Sequence, residues 1–328
     1  MTRGKILSGM RPTGRLHLGH YVGALQNWVK LQNEYDSLHM VADWHALTTA
    51  YENTDRIKQD TLEMVADWIG AGIDPDKTII FVQSKVKEHA ELHLLFSMLV
   101  TKARLERNPT VKEVIRDLHL GSNVSYGLLG YPVLQAADIL IYKANLVPVG
   151  EDQVAHVELT REIARRFNSL YGNVFPEPEP KLTFFARLPG LDAKRMSKSV
   201  GNTIELSDSP ESILKKVKTA VTDPKKVRRG DKGHPDVCAI FTYHKSFNPG
   251  EKEPIEKDCL AGILGCVDCK ENIARKLAEA LTPLREKRQE LMSKPGLLEE
   301  IIETGSGKAR AIAQDTMGQV RRAMKLWE

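Results

Sequence analysis

A chain of 328 residues, 41% of them apolar, has enough material for two domains with hydrophobic cores of their own. Its net charge of +4 is too small to announce a nucleic-acid partner by itself. No apolar run is long enough to span a bilayer, and Arg11 and Pro12 interrupt the N-terminal stretch before it could serve as a signal peptide, so a cytoplasmic protein without a membrane partner is expected.

In chain order, residues 5–10 read as a short strand, 11–20 as a turn-rich loop, and 21–32 as a helix with Val22, Leu25, Trp28 and Val29 at helical spacing. A second strand, 37–42, leads into Asp43, Trp44 and His45. Residues 54–71 form a helix with Leu62, Val65, Ala66 and Ile69 on one face, stopped by Gly72 and Pro75. The run TIIFVQ at 78–83 is a buried type of strand. Strands alternating with helices predict an α/β fold with a parallel sheet covered on both sides. Further on the chain is mostly helical, with strong signals over 132–142 and 151–168. A break near Ser207 divides a first domain, 1–206, from a charged helical second domain, 207–300, interrupted by a loop over 222–254. The last helix, 309–327 within the C-terminal segment 301–328, is expected to pack back on the first domain.

Two polar loops carry chemistry. His17-Leu18-Gly19-His20 lies between the first strand and the first helix. Gly19 would let the backbone approach a ligand, the helix start would offer free N–H groups to phosphate, and the two imidazoles would donate hydrogen bonds as charge develops there. Pro12, Thr13 and Gly14 make a turn beside them. Near the end of the first domain comes Lys194-Arg195-Met196-Ser197-Lys198-Ser199. A lysine between serines on a polar loop is a flexible point charge suited to a departing pyrophosphate.

The pair of loops resembles the HIGH and KMSKS signatures of class I aminoacyl-tRNA synthetases. The resemblance implies a Rossmann-type catalytic domain, a helical anticodon-binding domain and a homodimer. It also implies ATP with Mg²⁺ on its phosphates, attack of the amino acid's carboxylate on the α-phosphorus, and transfer of the aminoacyl group from the adenylate to tRNA. No protein nucleophile is needed; rate comes from orientation and charge stabilisation. Arg195 stands where the signature has its first lysine. Arginine and lysine bind phosphate differently, which puts the weight on Lys198.

Longer segments, among them SGMRPTGRLHLGHYVGAL, VADWHALT, YPVLQAADILIY, VPVGEDQVAHVELTREIARRFN and RMSKSVGN, resemble the bacterial tryptophanyl-tRNA synthetases in order and over nearly the whole chain. Gln135 and Asp138, three apart, share one helix face. A buried carboxylate wants a donor, and an indole N–H supplies one. By residue spacing alone Asp138 could equally cap a helix or pair with a lysine; the resemblance makes it the indole reader. It also assigns Val147 and Val149 to the pocket walls, Gln153 to the amino acid, and His45 and Tyr131 to the active site. Lys112 joins His17, His20 and Lys198 as a catalytic candidate near the phosphates. Arg11, Pro12, Thr13, Gly19, Gly150, Glu151, Asp152, Leu188, Arg195, Met196, Ser197 and Ser199 go to the nucleotide. The ordinary alternatives are a core tyrosine, a loop histidine and a surface lysine at 131, 45 and 112. Tyrosine-specific synthetases are the main competitor, but they usually grip the phenol with a tyrosine on the first strand, where Leu7 cannot donate. Gln135 departs from the methionine of many bacterial tryptophan enzymes. A small-molecule nucleotidyltransferase and an inactive synthetase-like module binding tryptophan or RNA are the remaining rivals.

Cys238, Cys259, Cys266 and Cys269 are the only cysteines and are spaced C-x₂₀-C-x₆-C-x₂-C. In a cytoplasmic chain they read as metal ligands or buried thiols. Four thiolates suit Zn²⁺ or a [4Fe-4S] cluster. The sequence resembles the iron–sulfur subset of tryptophan enzymes, which implies the cluster, with Zn²⁺ as the alternative. Upstream, Lys215, Lys216, Lys218, Lys225, Lys226, Arg228 and Arg229 read as a solvated face that can also neutralise tRNA phosphates.

Overall fold

The computed structural model describes residues 4–182, 188–228 and 230–327, apart from the side chains of Asp152 and Ser199. Strands β1 (Lys5–Met10), β2 (Asp36–Val41), β3 (Thr78–Val82), β4 (Leu146–Val149) and β5 (Glu179–Leu182) form one parallel sheet in the order β3-β2-β1-β4-β5. Alternation along the strands feeds two cores: Leu38, Met40 and Phe81 enter one, Val41, Ile80 and Val82 the other. After β3 the chain returns to the other side of β1. The strand order therefore reverses between β1 and β4, and a ligand crevice is expected beyond their carboxyl ends.

Helices α1 (Leu18–His20) and α2 (Gln26–Leu31) flank a π-helical turn, Tyr21–Leu25, after β1; α3 (Asp43–Ala50) and α4 (Ile57–Gly70) follow β2. Between β3 and β4 lie α5 (Glu88–Ser97), α6 (Lys102–Glu106), α7 (Pro109–Asp117) and α8 (Tyr126–Ile141); α9 (Val154–Tyr171) joins β4 to β5. The remainder is helical: α10 (Pro210–Thr219), α11 (Ala239–Phe247), α12 (Lys252–Leu260), α13 (Cys266–Met292) and α14 (Leu297–Met324). None of the described helices is long and apolar enough to cross a membrane.

Two readings of the sequence need correction. The stretch 222–254 is not all loop, because α11 buries Ile240, Phe241, Tyr243 and His244 there. Its apolar face is short, and flanking Pro and Gly residues hide its period. The last helix starts at Leu297, well before 309. Gly305 resembles a break but is a contact: a Cβ there would lie 1.8 Å from the Ile80 carbonyl oxygen, so only glycine lets α14 lie against β3. Ser306 Oγ accepts the Val82 N–H at 3.4 Å, and α14 thus covers the edge strand of the sheet. Ala309, Ala313, Met317 and Val320 of α14 enter one core, while Ile213, Ile240, Leu277 and Leu281 extend the other.

Candidate active site

A cavity of about 450 Å³ opens at the switch point between β1 and β4. Leu7 and Met10 of β1, Val147 and Val149 of β4, and Tyr131, Gln135 and Asp138 of α8 line it, with His45, Arg11, Gly150 and Gln153 around them. The walls are mostly apolar, with a few convergent polar groups. Ten residues read from the sequence thus converge on one volume. The π-helical turn adds Gly23 and Ala24 to the lining.

Asp138 is the buried polar end of this cavity. It is neither a helix cap nor a lysine partner. His45 Nε2–H donates to Oδ2 at 2.8 Å, His89 Nδ1–H to Oδ1 at 2.6 Å, and the Gln83 amide spans both oxygens at 2.8 and 3.0 Å. The second nitrogen of His89 then accepts from the Tyr142 hydroxyl at 2.7 Å, which fixes the tautomer. Burial alone would push the Asp138 carboxyl up, but the His45 and His89 hydrogen bonds outweigh it and hold the group well below the usual carboxylate range. Tyr131 stacks on His156 and bonds it through the hydroxyl at 2.9 Å, and burial lifts its phenol to about 12. Gln83, His89, Tyr142 and His156 were not singled out in the sequence, since they lie on four elements and the segments that contain Tyr142 and His156 were read for other residues.

The two signature loops meet each other after β1, and His17, His20 and Lys198 do not line this cavity. Leu18 N–H donates to Ile204 O at 3.0 Å and Leu206 N–H to Leu16 O at 2.9 Å, so the segment after Lys198 zips onto the first loop. Lys198 Nζ donates to Thr13 O at 3.0 Å. The expectation of free N–H groups at the helix start does not hold: Leu18 gives its N–H to Ile204, Gly19 to His17 Nδ1 and His20 to His17 O. Phosphate contacts would therefore come from side chains. His17 Nδ1 accepts from Gly19, and His20 Nδ1 accepts from the His17 N–H at 3.3 Å, which leaves Nε2–H as the outward donor of each ring. Gly19 is also packed rather than open; a Cβ would meet the His17 ring at 3.0 Å and Met196 Sδ at 3.2 Å. Asn202, another residue not foreseen, holds the second loop: its amide oxygen accepts from Ser197 N–H at 2.8 Å and its NH₂ donates to Asp192 and to Arg195 O.

Burial, then the charge of Lys198, lowers His17 to about 4; burial, then His17 and Lys198, lowers His20 to about 3. Both rings are neutral at physiological pH, and activity between pH 6 and 8 should carry no titration of either. The unfolded chain takes up these protons near 6.5, whereas the native loop resists to about 4 and 3. Their stabilising contribution is present above 6.5 and lost as pH falls. The thermal midpoint should therefore drop between pH 6.5 and 4, less steeply in His20→Gln; equal slopes would refute the assignment.

Other expected residues lie apart from the cavity. Lys112 is exposed on α7, although its neighbours Thr110 and Val114 line the cavity. Leu188 is buried in the core, Pro12 is buried, and Glu151 is exposed. The Asp152 and Ser199 side chains lie outside the described residues. In the basic stretch, Lys226 is buried and donates to Leu264 O, and Lys216 and Lys218 pair with Asp208 and Glu271. Lys215, Lys225 and Arg228 are exposed; Arg229 lies outside the described residues.

The four cysteines gather where α11, α12 and α13 begin or end, as free, half-buried thiols. Burial pushes Cys269 up to about 12, with the other three thiols adding to the shift, and His244 Nε2 lies 3.3 Å from its sulfur. Among the described residues no group of three or more His, Cys, Asp or Glu stands in metal-holding geometry. The donor chemistry suits a soft metal, but the thiols would have to reorient and lose protons to bind one.

An apolar crevice after β1, followed in the chain by a loop of two neutral imidazoles that the Lys198 ammonium joins, suits activation of a carboxylate by a nucleoside triphosphate. Residues 2–282 match the tRNA synthetases class I (W and Y) family, so the fold and site define a class I aminoacyl-tRNA synthetase. The chain is 51% identical over 325 residues to the tryptophan–tRNA ligase of Thermotoga maritima, covering 98% of this chain and 99% of that one. It is 45% identical over 393 aligned residues to that of Aquifex aeolicus, covering 98% and 100%. The tryptophanyl-tRNA synthetase of Campylobacter jejuni, solved with ADP and tryptophan, superposes with a TM-score of 0.88 at 34% identity, covering 98% and 100%. A tyrosyl-tRNA synthetase from Archaeoglobus fulgidus, at 22% identity and a TM-score of 0.68, shares the fold alone. The chain belongs to the bacterial tryptophan–tRNA ligases, ATP-dependent aminoacyl-tRNA ligases of class I.

Proposed function

We propose that this chain activates L-tryptophan with ATP and transfers the tryptophanyl group to tRNA(Trp), with the indole read by Asp138. The observation that carries the reading is an ionised carboxylate at the buried end of an apolar cavity, held there by His45, His89 and Gln83. Leu7, Val147 and Val149 supply apolar walls with no group to bond a phenol. The tryptophan carboxylate attacks the α-phosphorus, the bond to the bridging oxygen breaks, and pyrophosphate leaves with its electrons. Nε2–H of His17 and His20 and the Lys198 ammonium face the growing charge. Mg²⁺ bound with the nucleotide would supply further neutralisation of the phosphate charge. Amino-acid-dependent ATP–pyrophosphate exchange, with tryptophan and tyrosine side by side, tests the reading: exchange with tryptophan alone is expected, and exchange with tyrosine would overturn it.

Residues 1–206 are the proposed catalytic domain and 207–300 the anticodon-binding domain of a cytoplasmic homodimer. Leu94 and Met98 on α5 and Tyr126 on the adjoining α8 are exposed apolar residues that a dimer interface would cover. Cys238, Cys259, Cys266 and Cys269 would hold a [4Fe-4S] cluster, or Zn²⁺, that orders the tRNA-contacting end of the second domain. Cys266→Ser is then expected to harm tRNA charging at least tenfold more than exchange, on the order of one lost contact set. Equal losses in the two assays would sink that role.

A further inference from the structure

Asp67 on α4 has no exposed surface, and nothing in the chemistry above uses it. Its Oδ2 accepts the N–H of Leu16, the residue before His17, at 3.2 Å. Its Oδ1 accepts Arg288 Nε–H from α13 at 2.8 Å. The same guanidinium reaches Glu63, which also binds Arg15 of the signature loop at 3.1 Å. The Leu16 carbonyl is taken by Leu206, so the peptide just before the imidazole pair is clamped at both ends. Helices α4 and α13 meet so closely that a Cβ on Gly70 would lie 2.9 Å from the Leu284 carbonyl oxygen, which fixes the height of Arg288 one turn further on. A buried ion pair is a weak source of stability compared with apolar packing, so its use at this spot points to geometry.

We propose that Arg288 and Asp67 are positioning residues for ATP: together they hold the loop backbone in the register that presents His17 and His20 to the nucleotide. The inference rests on the reading of that loop as the nucleotide site. It makes the long helix α13, with Cys266 and Cys269 at its other end, a strut between the second half of the chain and the ATP loop.

The test is tryptophan-dependent exchange by the full-length Arg288→Met, Arg288→Lys, Asp67→Asn and Lys198→Ala variants, with the thermal midpoint of each. Arg288→Met and Asp67→Asn should raise KM for ATP roughly tenfold with KM for tryptophan unchanged, and Arg288→Lys should recover part of the loss. An unchanged KM for ATP, or equal rises in both KM values that follow a falling midpoint, overturns the proposal. Asp67→Asn keeps an acceptor for Leu16 and the same volume, so it carries the test should Arg288→Met not fold. Lys198→Ala separates the two levels. Exchange lost there but untouched in Arg288→Met and Asp67→Asn defeats this inference alone, whereas exchange untouched in Lys198→Ala removes the reading of the loops and this inference with it.

Discussion

Lys198→Ala is expected to lower the rate of tryptophan-dependent ATP–pyrophosphate exchange by about 10³-fold, the scale of losing one charge-stabilising donor at a developing anion. In the free protein the ammonium rests on the Thr13 carbonyl at 3.0 Å. Burial lowers its pKa, while Asp60, Glu205 and Asp67 pull it back up. The lysine is thus a partly desolvated cation with one neutral hydrogen-bond partner, and a charged phosphate oxygen is a better one. Pyrophosphate gains charge as it leaves, so the interaction is strongest in the transition state and its loss should fall on kcat more than on KM for tryptophan. Lys198→Arg keeps the charge but not the compact, flexible ammonium, and should recover only part of the rate. Initial rates at saturating tryptophan decide the matter; a loss of less than tenfold in Lys198→Ala would remove the lysine from the chemistry.

Contiguity decided what could be read from the sequence. The first loop is legible because His17, Gly19 and His20 lie within four residues at a strand–helix junction, and the second because Lys198 sits between two serines. The sheet is legible because runs such as TIIFVQ keep their apolar side chains through both cores. Groups assembled across the chain were not legible. Gln83 and His89 meet at Asp138 from β3's end and α5, Tyr142 at the end of α8 bonds His89 behind them, and nothing in the local pattern of EHAELHLLF marks His89 as a ligand of a carboxylate rather than a core histidine. Hydrogen bonding within a loop was equally hidden. Free N–H groups were expected at the start of α1, and the fold gives them to His17 and Ile204. The basic stretch misled because charge says nothing of burial, as Lys226 shows.

Asp138→Asn should raise KM for tryptophan by about 10²-fold and leave KM for ATP within twofold, since the change removes an acceptor and adds a donor at a buried site. An ionised carboxylate offers about four acceptor directions. His45 and Gln83 meet one oxygen, His89 and Gln83 the other, so all of them are engaged in the unliganded site, and an indole N–H would take over one of these directions. A carboxylate acceptor suits a single ring N–H and gives nothing to a phenol's own lone pairs. An asparagine keeps the volume but turns one end into an NH₂ group, which must face the N–H of either His45 or His89. A carboxylate that accepts from every side becomes a site with two opposed donors, and the histidines must rotate or lose a bond. The thermal midpoint should fall as well, because buried partners are left unpaired. Split kinetics separate the two effects: general loosening would move both KM values, whereas loss of the indole reader moves that for tryptophan alone. Restored binding of tryptophan in Asp138→Asn, within threefold of wild type, would mean that the indole is recognised elsewhere, with Gln135 the nearest polar group on the same face of α8.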